Sequence, residues 1–456
     1  MKTIPSLFVR STLPALVAAA FLAPSLKADT YRWDADGNPL EGTPPATTPG
    51  SGTWSTSAAL WNPFLSQLTD VVWDNAGGHV AQFGAAAAAD GTYAITVDST
   101  VTNVARLDFQ TSGFTLSSTA PTTVALAGGS GAITLSGGNT ATIGSNLTFS
   151  TTNSTSTILN SSSAGSGTGT LVIGNGGRIS SNTTIGLSQG AAASQVRVQV
   201  NTGGSLVADR MLLNSIGADA SHLVVDGGTV TLANTTNAGG AIFLGSFSTA
   251  NVTNRSRITL TSGAITATSA SGSNGTLQFG VSGGVQTGSS SQGVFDLDGG
   301  ILTVAQVRES NPANTDSTFN FNGGVLRVRS GTTANTTFMT GIDVANVQAG
   351  GAKIDTNGVA TTLGQALLAA SVNGGLEKQG AGNLTLGGVS TYTGATTVTT
   401  GTLILDATGT VNNSSKVIVN SGASFNIAAK ASGYTVNGLE GAGAVSLDKN
   451  WYPVPL

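Results

Sequence analysis

Asp298-Gly299-Gly300-Ile301-Leu302-Thr303-Val304 returns, one period along the chain, as Asn322-Gly323-Gly324-Val325-Leu326-Arg327-Val328. Each copy is a small polar residue, two glycines and an alternating run. Glycine supplies positive φ for a tight turn, and Asp, Asn, Ser or Thr beside it can bond local backbone. Alternation over four to eight residues marks a strand with one buried face. Working outward, the unit recurs at Thr202-Gly203-Gly204-Ser205-Leu206-Val207, Asp226-Gly227-Gly228-Thr229-Val230-Thr231-Leu232 and Ser262-Gly263-Ala264-Ile265-Thr266. Aligned on Gly177, Gly204, Gly228, Gly263, Gly300 and Gly324, the steps in residue number are 27, 24, 35, 37 and 24. Later copies centred on Gly401, Gly422 and Gly443 step by 21 and 21.

A fixed period of this size with strands and no helix marks a repeat architecture. One unit buries only a stripe of Ile, Leu, Val and Phe, too little to fold alone. Stacking units at about 4.8 Å pairs each backbone with its neighbours and makes the stripes continuous. The fold expected is all-β, a parallel β-solenoid, right-handed by the usual crossover rule. The steps of 35 and 37 are then turns with loop insertions. Residues 91–447 give about fifteen turns and a rod of ~70 Å. A transmembrane β-barrel would need two aromatic girdles, yet only 5% of residues are aromatic. A β-propeller would repeat with aromatic signatures per blade.

Composition agrees. Glycine is 63 of 456 residues, charged residues are 9%, and cysteine is absent. Collagen would need glycine at every third position, and a disulfide-stapled scaffold would need cysteine. At the N-terminus, Lys2 and Arg10 precede an apolar run from Leu13 to Leu22, with Ala28 beyond it. This fits a signal peptide over 1–28, too short in its apolar part to span a bilayer. Removing it leaves a mildly acidic chain, a poor partner for nucleic acid or anionic lipid. Trp33, Trp54, Trp61 and Trp73 concentrate in 29–90, read as a Trp-rich cap. The solenoid is placed at 91–447 and a C-terminal tail at 448–456.

Gly375-Leu376-Glu377-Lys378-Gln379-Gly380-Ala381-Gly382-Asn383-Leu384-Thr385-Leu386 is followed by Thr391-Tyr392-Thr393-Gly394-Ala395-Thr396-Thr397-Val398 and then Gly401-Thr402-Leu403. In that order, at about 374–405, these blocks closely resemble the passenger-associated (autotransporter-associated) β-strand repeat. The resemblance implies a secreted β-helical passenger and an extracellular or surface location. It implies no reaction. Autotransporters carrying the repeat end in a translocating barrel, whereas only Ile404 to Leu456 follow the last block here. Release by another system, or a truncated reading frame, is the expectation.

β-Helices also host polysaccharide lyases and hydrolases, which place carboxylates with His, Lys or Arg on adjacent turns. The candidates are Asp226, Asp296 and Asp298, with Arg308, Arg327 and Arg329 near in sequence. Asp226 and Asp298 each precede Gly-Gly, where Thr202, Ser262 and Asn322 stand in other copies. A place filled equally by Asp, Asn, Ser and Thr accepts a backbone N–H, so turn chemistry is the reading. Asp296 alternates with Phe295 and Leu297 and is expected in solvent. His79 and His222 read as lone surface residues. Asp34-Ala35-Asp36-Gly37-Asn38, with Glu41, does not keep calcium-loop spacing and reads as a solvated turn. The glycines at 128–131 have no following Lys-Ser/Thr, so no phosphate loop is expected. The tryptophans read as a plug over the first turn, with a sugar-stacking platform second.

No catalytic residue, cofactor or metal is therefore assigned. The expected function is an exported, non-enzymatic structural or adhesive surface rod. A carbohydrate-active β-helix enzyme is the alternative. Extracellular polysaccharide or surface components are the expected partners. Trp451 and Tyr452 are expected to cap the last turn thinly, leaving weak end-to-end self-association.

Overall fold

The computed structural model describes residues 29–447, except 38–48, 64–68, 86–87, 128–131, 152–156, 163–166, 188–193, 217–218, 236–239, 247–255, 269–274, 281–290, 311–314, 332–333 and 431–433. The expected signal peptide and the C-terminal cap at Trp451 and Tyr452 lie outside the described residues.

Each turn runs through three short strands, such as Thr140–Ile143, Leu147–Thr151 and Thr157–Ser162. These pair in parallel with the corresponding strands of the next turn, Gly167–Ile173, Arg178–Ser181 and Thr184–Leu187. Three parallel ladders result, here called the first, second and third faces in chain order. The protein is a parallel β-solenoid. Fifteen described strands line the third face from Val80–Phe83 to Ala444–Ser446, so the ladder is ~70 Å long.

Alternation turns one side chain in two inward, and parallel register stacks equivalent positions. On the first face the inward row is Leu116, Ile143, Ile173, Val200, Val225, Leu260, Leu297, Phe321 and Val347. Phe295 lies flat against Phe319 one turn on, with centroids 5.2 Å apart. The turn glycines close the corners. Gly203 has φ +76°, and a Cβ on Gly204 would come 2.3 Å from the Ile173 carbonyl oxygen. That is why two successive glycines recur there.

The glycine-aligned steps reappear in the second-face register. Ile179 pairs with Leu206, then Val230, Ile265, Leu302 and Leu326, giving 27, 24, 35, 37 and 24. The late series differs. Gly401, Gly422 and Gly443 close the corner before the third face, where Thr402 pairs with Ser424 and Ser424 with Ala444. The register steps there are 22 and 20, not 21 twice. The same turn chemistry serves two corners, so glycine spacing alone merges them.

At the N-terminal end, Thr30–Trp33 pairs parallel to Val80–Phe83 and antiparallel to Ala59–Pro63, which pairs antiparallel to Val71–Val72. This reversal ends the third-face ladder. Trp33, Trp54, Trp61 and Trp73 are all fully buried above the first turn. Trp61 lies 4.9–5.3 Å from the other three, mostly edge to face. Phe83 and Phe109 continue the cluster into the core. The indoles form a plug, and no face is open for a sugar ring. At the other end, the strands Leu439–Gly441 and Ala444–Ser446 are exposed throughout.

Candidate functional site

The sequence candidates separate into three groups. The turn acids act between turns. Asp226 Oδ1 accepts from Thr261 Oγ1 (2.8 Å) and Ser262 Oγ (3.0 Å). Asp298 Oδ1 accepts from Asn322 Nδ2 (3.0 Å), and Asn322 Oδ1 accepts from the Gly350 N–H. The donors to both aspartates are thus side chains of the following turn, rather than the local backbone N–H expected. The arginines scatter: Arg308 donates to Gln278 Oε1 on the third face, and Arg327 pairs with Asp355 at 2.8 Å on the second. Arg329 is buried. They do not converge on Asp226 or Asp298.

The cap residues are a correction. Asp34 is buried, not a solvated turn residue. Burial, a hydrogen bond that its protonated carboxyl donates to the Asp36 side chain, and the nearby Asp70 charge push its carboxyl up to about 7. His79 is also buried, stacked 4.0 Å from Tyr31, and its Nδ1 accepts the Asp29 N–H. Desolvation holds its pKa down. No group of three or more metal-ligating side chains occurs among the described residues.

Asp296 and His222 are the second correction. Asp296 faces outward but is only 6% exposed. Arg257 Nη1 lies 2.9 Å from Asp296 Oδ2, and Asn320 Nδ2 donates to Oδ1 at 2.8 Å. Thr259 Oγ1 bridges between Asp296 Oδ2 (3.4 Å) and His222 Nε2 (3.1 Å). His222 pairs in register with Arg197 on one side and Arg257 on the other. Burial first, then the two guanidinium charges, drive its pKa down to about 4. Four ionisable side chains on four successive turns of the first face therefore meet: Arg197, His222, Arg257 and Asp296. Sequence reading missed this because proximity depends on the register of turns of unequal length. Within one strand, Gln195-Val196-Arg197-Val198 shows only alternation.

The third group lies in the late turns. Lys378 occupies the inward second-face row, between Ile354 and Val398, and is 0% exposed. Its Nζ donates to Thr356 Oγ1 (3.3 Å), Gln379 O (3.0 Å), Thr400 O (2.9 Å) and Gly380 O. Burial lowers its pKa to about 8. Tyr392 is buried one corner on, its hydroxyl 2.7 Å from Thr396 Oγ1, which bonds Ser414 Oγ at 3.0 Å. Here the first face shrinks to an isolated bridge, Val389 to Thr410, and the tyrosine ring fills the space. A Cβ on Gly394 would come 2.3 Å from the Gly374 carbonyl carbon. The signal for Lys378 was in the sequence, since it is in phase with inward Leu376. The general rarity of buried lysine hides it.

The fold and these turns define a class: a parallel β-solenoid whose late turns are narrowed around a buried lysine and tyrosine. Within it, residues 376–405 match the passenger-associated-transport-repeat family. That span holds Leu376, Lys378, Leu384, Leu386, Tyr392, Thr396, Val398 and Leu403, all of which point into the core. No curated protein and no solved structure matches the chain. The chain thus carries an autotransporter-passenger-associated repeat on a parallel β-solenoid.

Proposed function

We propose that this protein is an exported, non-enzymatic structural or adhesive rod at a bacterial surface, delivered by its N-terminal signal. The observation that supports it is the repeat of 376–405 built into the continuous second- and third-face ladders, with its polar residues used to close turns. Lys378, Tyr392 and Thr396 are buried and satisfy buried polar groups. Expressing the full chain in a Gram-negative host, then fractionating cells and shaving them with protease, tests it. N-terminal processing near Ala28 with protein outside the cytoplasm is the expected result. An unprocessed, cytoplasmic, protease-protected chain refutes it.

A carbohydrate-active enzyme remains the second reading, favoured by His222, Arg257 and Asp296 on adjacent turns. Against it, both Asp296 oxygens already accept bonds, and its Arg257 pairing holds the carboxylate in place. Incubation with acidic polysaccharides and assay for new reducing ends or unsaturated products separates the two.

A further inference from the structure

The outward row of the first face reads Thr170, Arg197, His222, Arg257, Val294 and Thr318 on successive turns. Partners in register lie about 4.8 Å apart. The row is neutral at both ends. In the middle it carries two guanidiniums on alternate turns with a histidine between them, a concentration of positive charge in a chain with only 18 Lys and Arg.

The two arginines are not equivalent. Arg257, its side chain 48% exposed, is held by Asp296. Arg197 is partly exposed and has no acidic partner among the described residues, and its buried Nε has no acceptor. The neighbouring outward row runs Gln199, Val224, Thr259, Asp296, Asn320 and Asn346, so apart from the carboxylate that holds Arg257 its polar members are neutral hydrogen-bonding groups. Asn346 donates to Asn320, and Asn320 to Asp296, so this row is ordered along the axis.

We propose that Arg197, His222 and Arg257 form a binding row for a carboxylated polysaccharide lying along the solenoid axis. The guanidinium fork matches a carboxylate bidentately. Two forks separated by one neutral turn, ~10 Å apart, take carboxylates along a linear polymer. Neutral His222 and the adjacent amide and hydroxyl row meet sugar hydroxyls between them. Two fixed cations on a chain of net charge −4 do not suit a densely charged nucleic acid. The proposal names a ligand for the non-enzymatic rod. Binding of the purified protein is tested without reference to export, so either idea can fail alone.

The test is affinity electrophoresis of the full chain in gels containing polygalacturonate, with dissociation constants from calorimetry on oligogalacturonate. Retardation by polygalacturonate, lost when its carboxyls are methyl-esterified, is expected. Arg197→Gln, whose side chain makes no ion pair, weakens binding about tenfold or more, with an unchanged melting curve. Arg178→Gln on the second face leaves binding unaltered. Equal affinity of Arg197→Gln and wild type overturns the proposal, as does absence of binding by folded wild type. Tighter binding to dextran sulfate or single-stranded DNA than to polygalacturonate overturns the carboxylate assignment.

Discussion

Replacing Lys378 with methionine keeps the chain's bulk and removes the charge and its donors. Two opposing quantities can be worked from the structure. The Gly380 and Thr400 carbonyls lose their lysine donor, and a buried group left without one costs roughly 1–3 kcal/mol. The loss over both carbonyls is then about 2–6 kcal/mol. Against it stands the cost of burying the ammonium. Lys378 titrates near 8 in the fold rather than at 10.5, and that displacement is worth about 3 kcal/mol. The folded pKa is depressed, so between about 8 and 10.5 the unfolded chain binds more protons. The wild type therefore gains stability as pH rises through this window, while below about 8 the full burial cost is present. The variant lacks that gain. Lys378→Met should cost no more than about 3 kcal/mol at neutral pH, and about 3 kcal/mol more at the alkaline end. Amide exchange across 352–405, compared between variant and wild type at each pH, reads the difference locally. A difference that does not change with pH, or one that shrinks toward alkaline pH, refutes the reasoning.

The other expectations concern the two ends and the corners. Trp61→Ala empties the centre of the aromatic plug and should cost about 3–5 kcal/mol, read as a lower melting temperature and aggregation. Asp34 titrates up to about 7 in the fold. Its stabilising contribution is full below the ordinary carboxylate range and is lost as pH rises through about 7. The tryptophan-fluorescence melt should therefore fall between about pH 4 and pH 7, and Asp34→Asn should flatten that slope. Gly394→Ala drives a Cβ into the Gly374 backbone and should destabilise the late turns by about 1–3 kcal/mol, seen in exchange of 374–405 but not of the cap. Leu439, Val445 and Leu447 are exposed apolar residues at the last described turn. If that edge drives self-association, Val445→Lys should reduce concentration-dependent light scattering; an unchanged profile removes the edge from consideration.

Much of the solenoid is legible because its signals are local. Each Gly-Gly corner announces itself, and the alternation of Ile301-Leu302-Thr303-Val304 fixes which side chains face inward. What alternation does not carry is what lies on the outside of a ladder. Asp296 does point outward, as its neighbours Phe295 and Leu297 imply. Outward is not solvent, because Arg257, Thr259 and Asn320 occupy the adjoining turns. The same holds for His222, whose register partners Arg197 and Arg257 lie a whole turn away in the chain on either side. Unequal turns of this kind cannot be registered from one sequence, so the cluster is invisible until the strands are paired. Lys378 is hidden for a different reason: its phase with inward Leu376 is readable in the sequence, but lysine is so rarely buried that the phase draws no attention.

The late turns show why a lysine belongs there. Turns this short cannot hold three strands of four and three corners, so the first face collapses to one bridge and Tyr392 fills its volume. Tightening the corner after the second face turns the carbonyls of Gly380 and Thr400 inward, where no backbone N–H is placed to meet them. A long side chain with three donors, rooted just before Gly380, reaches both. Asp406 does equivalent work at another corner, accepting the Thr408 and Gly409 N–H groups, as does Asp355 for Asn357. Polar chemistry in these turns is directed at closing backbone, which is a structural task. Arg197 is the contrast. It closes no corner, pairs with no acid among the described residues, and stands partly exposed one turn from His222. A guanidinium with no structural task of this kind is the place to look for what the rod holds.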